Sequence, residues 1–263
     1  MITEKVRACW NKNADTWTLL ARAGYDVYRD FLNTPAFMKM LPPIEGLVGL
    51  DIGCGEGENT RKLAARGAKV HAIDISHTFV KHAKAYSPDD IPDINYAVAN
   101  ALQLPFADSA FDFVTGIMSF MDIPKTDLLL SEVFRVLRGN GFCQFSITHP
   151  FLDTPHHKNL RGDDGLTYAY EVGRYFEKLD GEISEWIFST LPSEQREKFD
   201  MFQVPRFTHT LSQWFTTLLE TGFVIEAVGE PYPDDDTVRR CPAVQDAQIV
   251  PYFLHVRVRK PGE

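Results

Sequence analysis

An apolar run from Leu47 to Ile52 leads straight into glycines at 53, 55 and 57, and Asp74 closes the next apolar run 21 positions after Gly53. A strand that breaks into glycines and then a helix is how a doubly wound α/β sheet builds a nucleoside pocket. Glycine lets a ligand approach the backbone where a side chain would collide. The helix start offers unpaired N–H groups and a positive dipole end. The Asp74 carboxylate is placed to accept hydrogen bonds from ribose hydroxyls. The alternative reading of the stretch is a tight strand–helix turn with no ligand.

The spacing bears on which nucleoside is expected. A dinucleotide fingerprint needs a third small residue that allows close helix–strand packing, and that position here is Glu58. A nicotinamide-dependent oxidoreductase is therefore a distant reading. The chain instead reads Asp51-x-Gly53-x-Gly55-x-Gly57. An acid before the first glycine suits a ligand ammonium group, which a pyrophosphate lacks, so an amino-acid-bearing nucleoside fits. The stretch resembles motif I of the class I methyltransferases that depend on S-adenosylmethionine (SAM).

Further segments carry the same resemblance. Ala99-Asn100-Ala101-x-x-Leu104-Pro105-Phe106 is similar to the family segment after the third strand, with Asn100 where Asp is common. Phe111-Asp112-Phe113-Val114 resembles the fourth strand. Glu132 to Gly141 resembles the family's Glu-x-x-Arg-Val-Leu-(Lys/Arg)-Pro-Gly-Gly, with Gly139 replacing proline. The nearest pattern is the type 11 group of small-molecule methyltransferases. The resemblance implies SAM as cofactor, with Asp51 at the methionine ammonium, directly or through a water, and Asp74 at the ribose diol. It implies Ile75, Asn100 and Ala101 around the adenine and Ile117 near the methionine. Trp17 and Tyr25 would close over the cofactor, or else pack in the core. Asn59 and Thr60 either cap the following helix or touch the ligand.

Periodicity gives the remaining frame. Residues 1–45 read as a helical cap rich in aromatics, ending at Pro42-Pro43. Strands are expected at Leu47–Ile52, Lys69–Asp74, Ile94–Ala99, Phe111–Ile117 and Phe142–Thr148, with helices between them. Ser87-Pro88 should end the second of these helices. Residues 150–207 lose regularity, and a partly helical lid is expected there. A helix at Leu211–Glu220 and strands at Phe223–Gly229 and Val250–Arg259 complete a seven-stranded Rossmann-like α/β sheet with helices on both faces. The organisation is thus cap 1–45, SAM-binding core 46–149, lid insertion 150–207 and C-terminal core 208–263.

Composition bears on partners. The formal net charge of −9 counts against non-specific nucleic-acid binding. No run approaches the length of a membrane-spanning helix, and the N-terminal residues lack a signal-peptide core. Four scattered cysteines suit a reduced, cytoplasmic protein. His156-His157 lacks a second ligand pair at metal spacing, so no metal is expected. The Asn-Pro-Pro-Tyr device of amine methylation is missing after the fourth strand, where Ile117 to Met121 stands.

These features favour a small-molecule methyl acceptor, aromatic or apolar, methylated at oxygen or carbon. Methylation of RNA or protein, and a non-catalytic SAM-binding module, are the alternatives. Two histidines are candidates for general base. His149 follows the fifth strand, where the crevice of an open α/β sheet lies. His209 enters the helix after the insertion. The alternative reading of His149 is a histidine bonded to loop backbone.

Overall fold

The structure is a computed structural model that describes residues 2–86 and 94–262. The N-terminal part is helical, with α1 at Ile2–Arg22 and α2 at Thr34–Met40. Strand β1 (Val48–Ile52) leads to α3 (Glu58–Ala64), β2 (Lys69–Asp74) to α4 (His77–Ala85), and β3 (Asn95–Val98) to β4 (Phe111–Ile117). Ser76 starts α4 as an N-cap, its hydroxyl accepting from the Phe79 N–H at 3.2 Å. The expected stop at Ser87-Pro88 lies outside the described residues. Helix α5 (Thr126–Val136) then feeds β5 (Leu137–Thr148).

The insertion is not the partly helical lid that its length suggested. It forms two antiparallel hairpins, β6 (His156–Arg161) with β7 (Thr167–Gly173), and β8 (Asp180–Trp186) with β9 (Phe202–Phe207). Its only regular helix among the described residues is the four-residue α6 (Ser193–Arg196). The physical reason is where its apolar faces go. Phe202 and Val204 of β9, with Ile187 and Phe188 after β8, pack on Leu20 and Ala21 of α1. Trp17 meets Trp186 and Phe188 edge-on at 5.3 and 5.2 Å, and Phe202 at 4.7 Å. Cap and insertion thus share one aromatic cluster.

The chain ends with α7 (Leu211–Glu220), β10 (Val224–Gly229), α8 (Asp235–Arg240) and β11 (Phe253–Arg259). The main sheet has seven strands in the order β10-β11-β5-β4-β1-β2-β3. Pairing is parallel from β3 through β5, and β11 runs antiparallel between β5 and β10. One apolar face packs Leu129 and Val133 of α5 and Trp214 and Leu218 of α7 against Val114 and Phe145. The other packs Phe37 of α2 and Leu63 of α3 against Val70, Phe113 and Phe142. Helices on both faces of a mostly parallel sheet are the doubly wound arrangement. The chain leaves β1 towards β2 on one side and returns to β4 on the other. That switch point is where such sheets leave a crevice at their carboxyl ends.

Candidate active site

A cavity of about 930 Å³ opens at this switch point, near the top of the roughly 300–1,000 Å³ range of small-molecule sites. Its wall runs from the glycine turn after β1, across the ends of β2, β3 and β4, to the inner faces of α1 and the insertion. The glycine turn is pinned to β2 by its own backbone. The N–H groups of Gly53 and Cys54 donate to the Ile73 carbonyl at 2.8 and 3.0 Å. Asp74, only 8 % exposed, accepts from the N–H of Gly55 at 2.9 Å and of Ser76 at 2.8 Å. A carboxylate has about four acceptor sites, so it keeps capacity for a ligand diol. Burial pushes its pKa up to about 6, against the pull of these two N–H donors.

Two glycines of the turn have different structural reasons. Gly53 lies at φ +74°, and a Cβ there would stand 2.3 Å from the Ser119 Cβ. Gly55 lies at φ +54°, and a Cβ there would meet nothing within 4 Å, entering open space over the turn. That free backbone, beside a half-used carboxylate, is a cradle suited to a nucleoside. Gly57 is instead the residue that starts α3 and is absent from the cavity wall; a side chain there would strike the Tyr96 hydroxyl and Arg61.

Asp51 lies beneath the turn, 2 % exposed and off the cavity wall. Its two oxygens accept from Thr60 Oγ1 at 2.6 Å and Thr115 Oγ1 at 2.8 Å, and burial raises its pKa. In this arrangement Asp51 supports the turn from below, and direct contact with a ligand ammonium is not open to it. Thr60 is therefore a partner of Asp51, while Asn59 reaches the wall and accepts from Thr34 Oγ1 at 2.9 Å. Ile75, Asn100, Ala101 and Ile117 line the cavity, as do Trp17 and Tyr25 from the cap. The Asn100 side-chain oxygen takes the Leu102 N–H at 3.0 Å, forming a local turn.

Both histidines expected as bases turn away from the cavity. His149 Nδ1 accepts from the Phe151 N–H at 3.1 Å, so its Nε2 carries the proton and donates to Glu230 at 3.0 Å. His209 Nδ1 donates to the Phe207 carbonyl at 3.1 Å, and its Nε2 faces Thr126 Oγ1 at 3.4 Å. Burial lowers the pKa of each. Neither ring is on the wall, so neither is placed to take a proton from a molecule inside. His157 does reach the wall, while His156 pairs with Glu171. Among the described residues, no group of His, Cys, Asp and Glu could hold a metal ion.

Several wall residues had no local signal in the sequence. Glu56, 5 % exposed, sits in the glycine turn with Arg22 at 3.0 Å, Arg61 at 3.1 Å and Arg29 at 3.8 Å. Arg29 also faces the cavity, its Nε bonded to Asp30 at 2.8 Å. Asp246 accepts from Tyr28 at 2.6 Å, Tyr252 at 2.8 Å and Tyr170 at 3.1 Å, tying cap, insertion and C-terminal segment together. Asp122, in a short turn after β4, faces the cavity near Asp153 and Arg206. These groups come from separate elements, and only the assembled fold shows their convergence.

Comparison with known proteins agrees with this geometry. Residues 50–145 match the methyltransferase-domain family of type 11. The chain is 37 % identical over 121 residues to a ubiquinone/menaquinone biosynthesis C-methyltransferase of Bartonella bacilliformis, covering 43 % of this chain and 46 % of that protein. It is 29 % identical over 140 residues to a fatty-acid O-methyltransferase of Mycolicibacterium smegmatis, covering 52 % and 50 %. The chain thus spans about half the length of these curated relatives. A solved SAM-dependent methyltransferase from Mesorhizobium loti superposes with a TM-score of 0.69 at 26 % identity, covering 86 % of this chain and 96 % of that one. With the glycine turn, Asp74 and the seven-stranded sheet, these matches identify residues 50–145 as a class I, SAM-dependent methyltransferase domain of the type 11 family.

Proposed function

We propose that the chain transfers a methyl group from SAM to a small acceptor, aromatic or apolar, at oxygen or carbon. The observation that carries this reading is the single continuous cavity, which runs from the glycine turn to the aromatic inner face of the insertion. Its volume of about 930 Å³ accommodates a nucleoside and a second small molecule together. A module that only bound SAM would have no use for the second space. The named relatives act on carbon in quinone biosynthesis and on oxygen in fatty acids, which supports the acceptor class.

Bound SAM supplies a methyl group made electrophilic by its sulfonium. The protein's part is to bind, align and exclude water. Asp74 would hold the ribose diol, and Ile75, Asn100 and Ala101 would frame the adenine. Gly53 and Gly55 would admit the methionine portion, Ile117 would flank it, and the Arg29 guanidinium on the wall would meet its carboxylate. The buried Asp51 would hold the turn in place from below through Thr60 and Thr115. Trp17 and Tyr25 close the cofactor end, and residues 150–207 cover the acceptor. The four free, buried cysteines suit a reducing, cytoplasmic setting.

Incubation with methyl-labelled SAM and a panel of phenols, quinols and fatty acids tests the reading. Label should appear in organic-extractable small molecules. Label confined to acid-precipitated RNA or protein would instead establish a macromolecular acceptor.

A further inference from the structure

Asp122 has a setting that cofactor binding does not explain. It ends the short helical turn Phe120–Asp122, directly after β4. Three residues earlier, the Ser119 hydroxyl donates to the Ile52 carbonyl at 2.6 Å, locking this turn against the start of the glycine turn. Asp122 is therefore held beside the methionine end of the cofactor cradle, on the wall of the same cavity. Neither of its carboxyl oxygens has a hydrogen-bond or ion-pair partner among the described residues. The nearby cation, Arg206 of β9, is already engaged by Asp153 and the Thr154 carbonyl. Asp122 is only partly exposed, on the cavity wall, so its free carboxyl oxygens are available to a hydrogen-bonding group of a molecule bound there.

We propose that Asp122 is a catalytic residue on the acceptor side, whose carboxylate takes the proton of an acceptor hydroxyl during methyl transfer. This inference rests on the methyltransferase reading and narrows its acceptor to a phenol or alcohol. As the acceptor oxygen forms its bond to the methyl carbon, the S–CH₃ bond breaks and its electron pair stays on sulfur. The hydroxyl proton passes to Asp122. The products are the methyl ether, the thioether S-adenosylhomocysteine and a protonated Asp122 carboxyl. The charged groups acting on Asp122 are Asp153, which raises its proton affinity, and Arg206, which lowers it, while burial raises it most. A base with raised proton affinity is better matched to a hydroxyl than an ordinary carboxylate. It also has a titration that a pH profile can reveal.

The test compares wild type with Asp122→Asn, which keeps shape and removes the base, using SAM and a panel of phenols and aliphatic alcohols beside carbon acceptors. SAM affinity is measured on both proteins by calorimetry. The expected result is unchanged SAM affinity, a fall in kcat of at least 100-fold on a hydroxyl acceptor, and loss of the acidic limb of the kcat–pH profile. A variant within threefold of wild type, or one that keeps the acidic limb, would overturn the proposal. Wild-type transfer to carbon acceptors alone would overturn it too, while leaving the methyltransferase reading intact. SAM binding without turnover of any acceptor would remove both.

Discussion

Replacing Gly55 with alanine separates cofactor binding from folding. The residue lies at φ +54°, where an L side chain is strained, yet an added Cβ has no neighbour within 4 Å. The backbone strain is about 1–2 kcal/mol. For a chain of this size, each kcal/mol moves the melting temperature by roughly 2–4 °C, so apo Gly55→Ala should melt about 2–8 °C below wild type. The new methyl group stands where the methionine portion must approach the turn. SAM affinity should therefore fall at least tenfold, about 1.4 kcal/mol. Gly53→Ala is the control, because its Cβ would stand 2.3 Å from the Ser119 Cβ. Overpacking adds about 1–3 kcal/mol to the backbone strain, giving a larger thermal loss in the apo protein. Thermal unfolding with and without SAM, with calorimetry on each variant, reads both quantities. Wild-type SAM affinity in Gly55→Ala would refute the placement of the cofactor over this turn.

Other perturbations follow from the same geometry. Asp51→Ala leaves the Thr60 and Thr115 hydroxyls, both fully buried, without an acceptor. At about 1–3 kcal/mol for each orphaned group, chemical denaturation should show a loss of several kcal/mol; a loss below 1 kcal/mol would contradict the support role. Asp74 has its pKa raised from 3.8 to about 6, so the fold holds a proton that the unfolded chain releases. Its contribution to stability is most favourable below pH 4, declines as pH rises to 6, and is then about 3 kcal/mol lower. Ribose hydroxyls donate to the ionised form, so SAM affinity should weaken as pH falls through 6, by up to tenfold per unit; calorimetry at pH 5, 6 and 7.5 would show a flat profile if Asp74 did not meet the diol. Trp17→Ala opens the aromatic cluster joining α1 to the second hairpin. Limited proteolysis within residues 150–207 should accelerate, and an unchanged digestion pattern would contradict the packing.

Elements buried on both sides were legible from sequence. The near-continuous apolar run Phe111–Ile117 and the run Lys69–Asp74 are strands over the expected residues, and α7 spans Leu211–Glu220 as its period indicates. The insertion was not, because its strands are half-exposed hairpins, and the apolar residues of β9 and of the segment after β8 pack on α1 across a large sequence separation. The same distinction applies to the cavity. The glycine turn and Asp74 are local chemistry and can be read as a motif. His149 stands at the right end of the sheet and His209 follows the insertion, but ring direction is decided by partners the sequence does not single out: Glu230, 81 residues on, claims one nitrogen of His149, and the Phe207 carbonyl two residues before holds His209. Asp122, Arg29 and Asp246 matter through neighbours from other elements, and no local spacing announces them.

The central claim is that the cradle between Gly55 and Asp74 takes an amino-acid-bearing nucleoside rather than a dinucleotide. Calorimetric titration of the purified protein with SAM, S-adenosylhomocysteine and NAD(H) tests it most directly. The expected result is micromolar binding of both sulfur nucleosides and no binding of NAD(H). Binding of NAD(H) alone, or of none of the three, would contradict it.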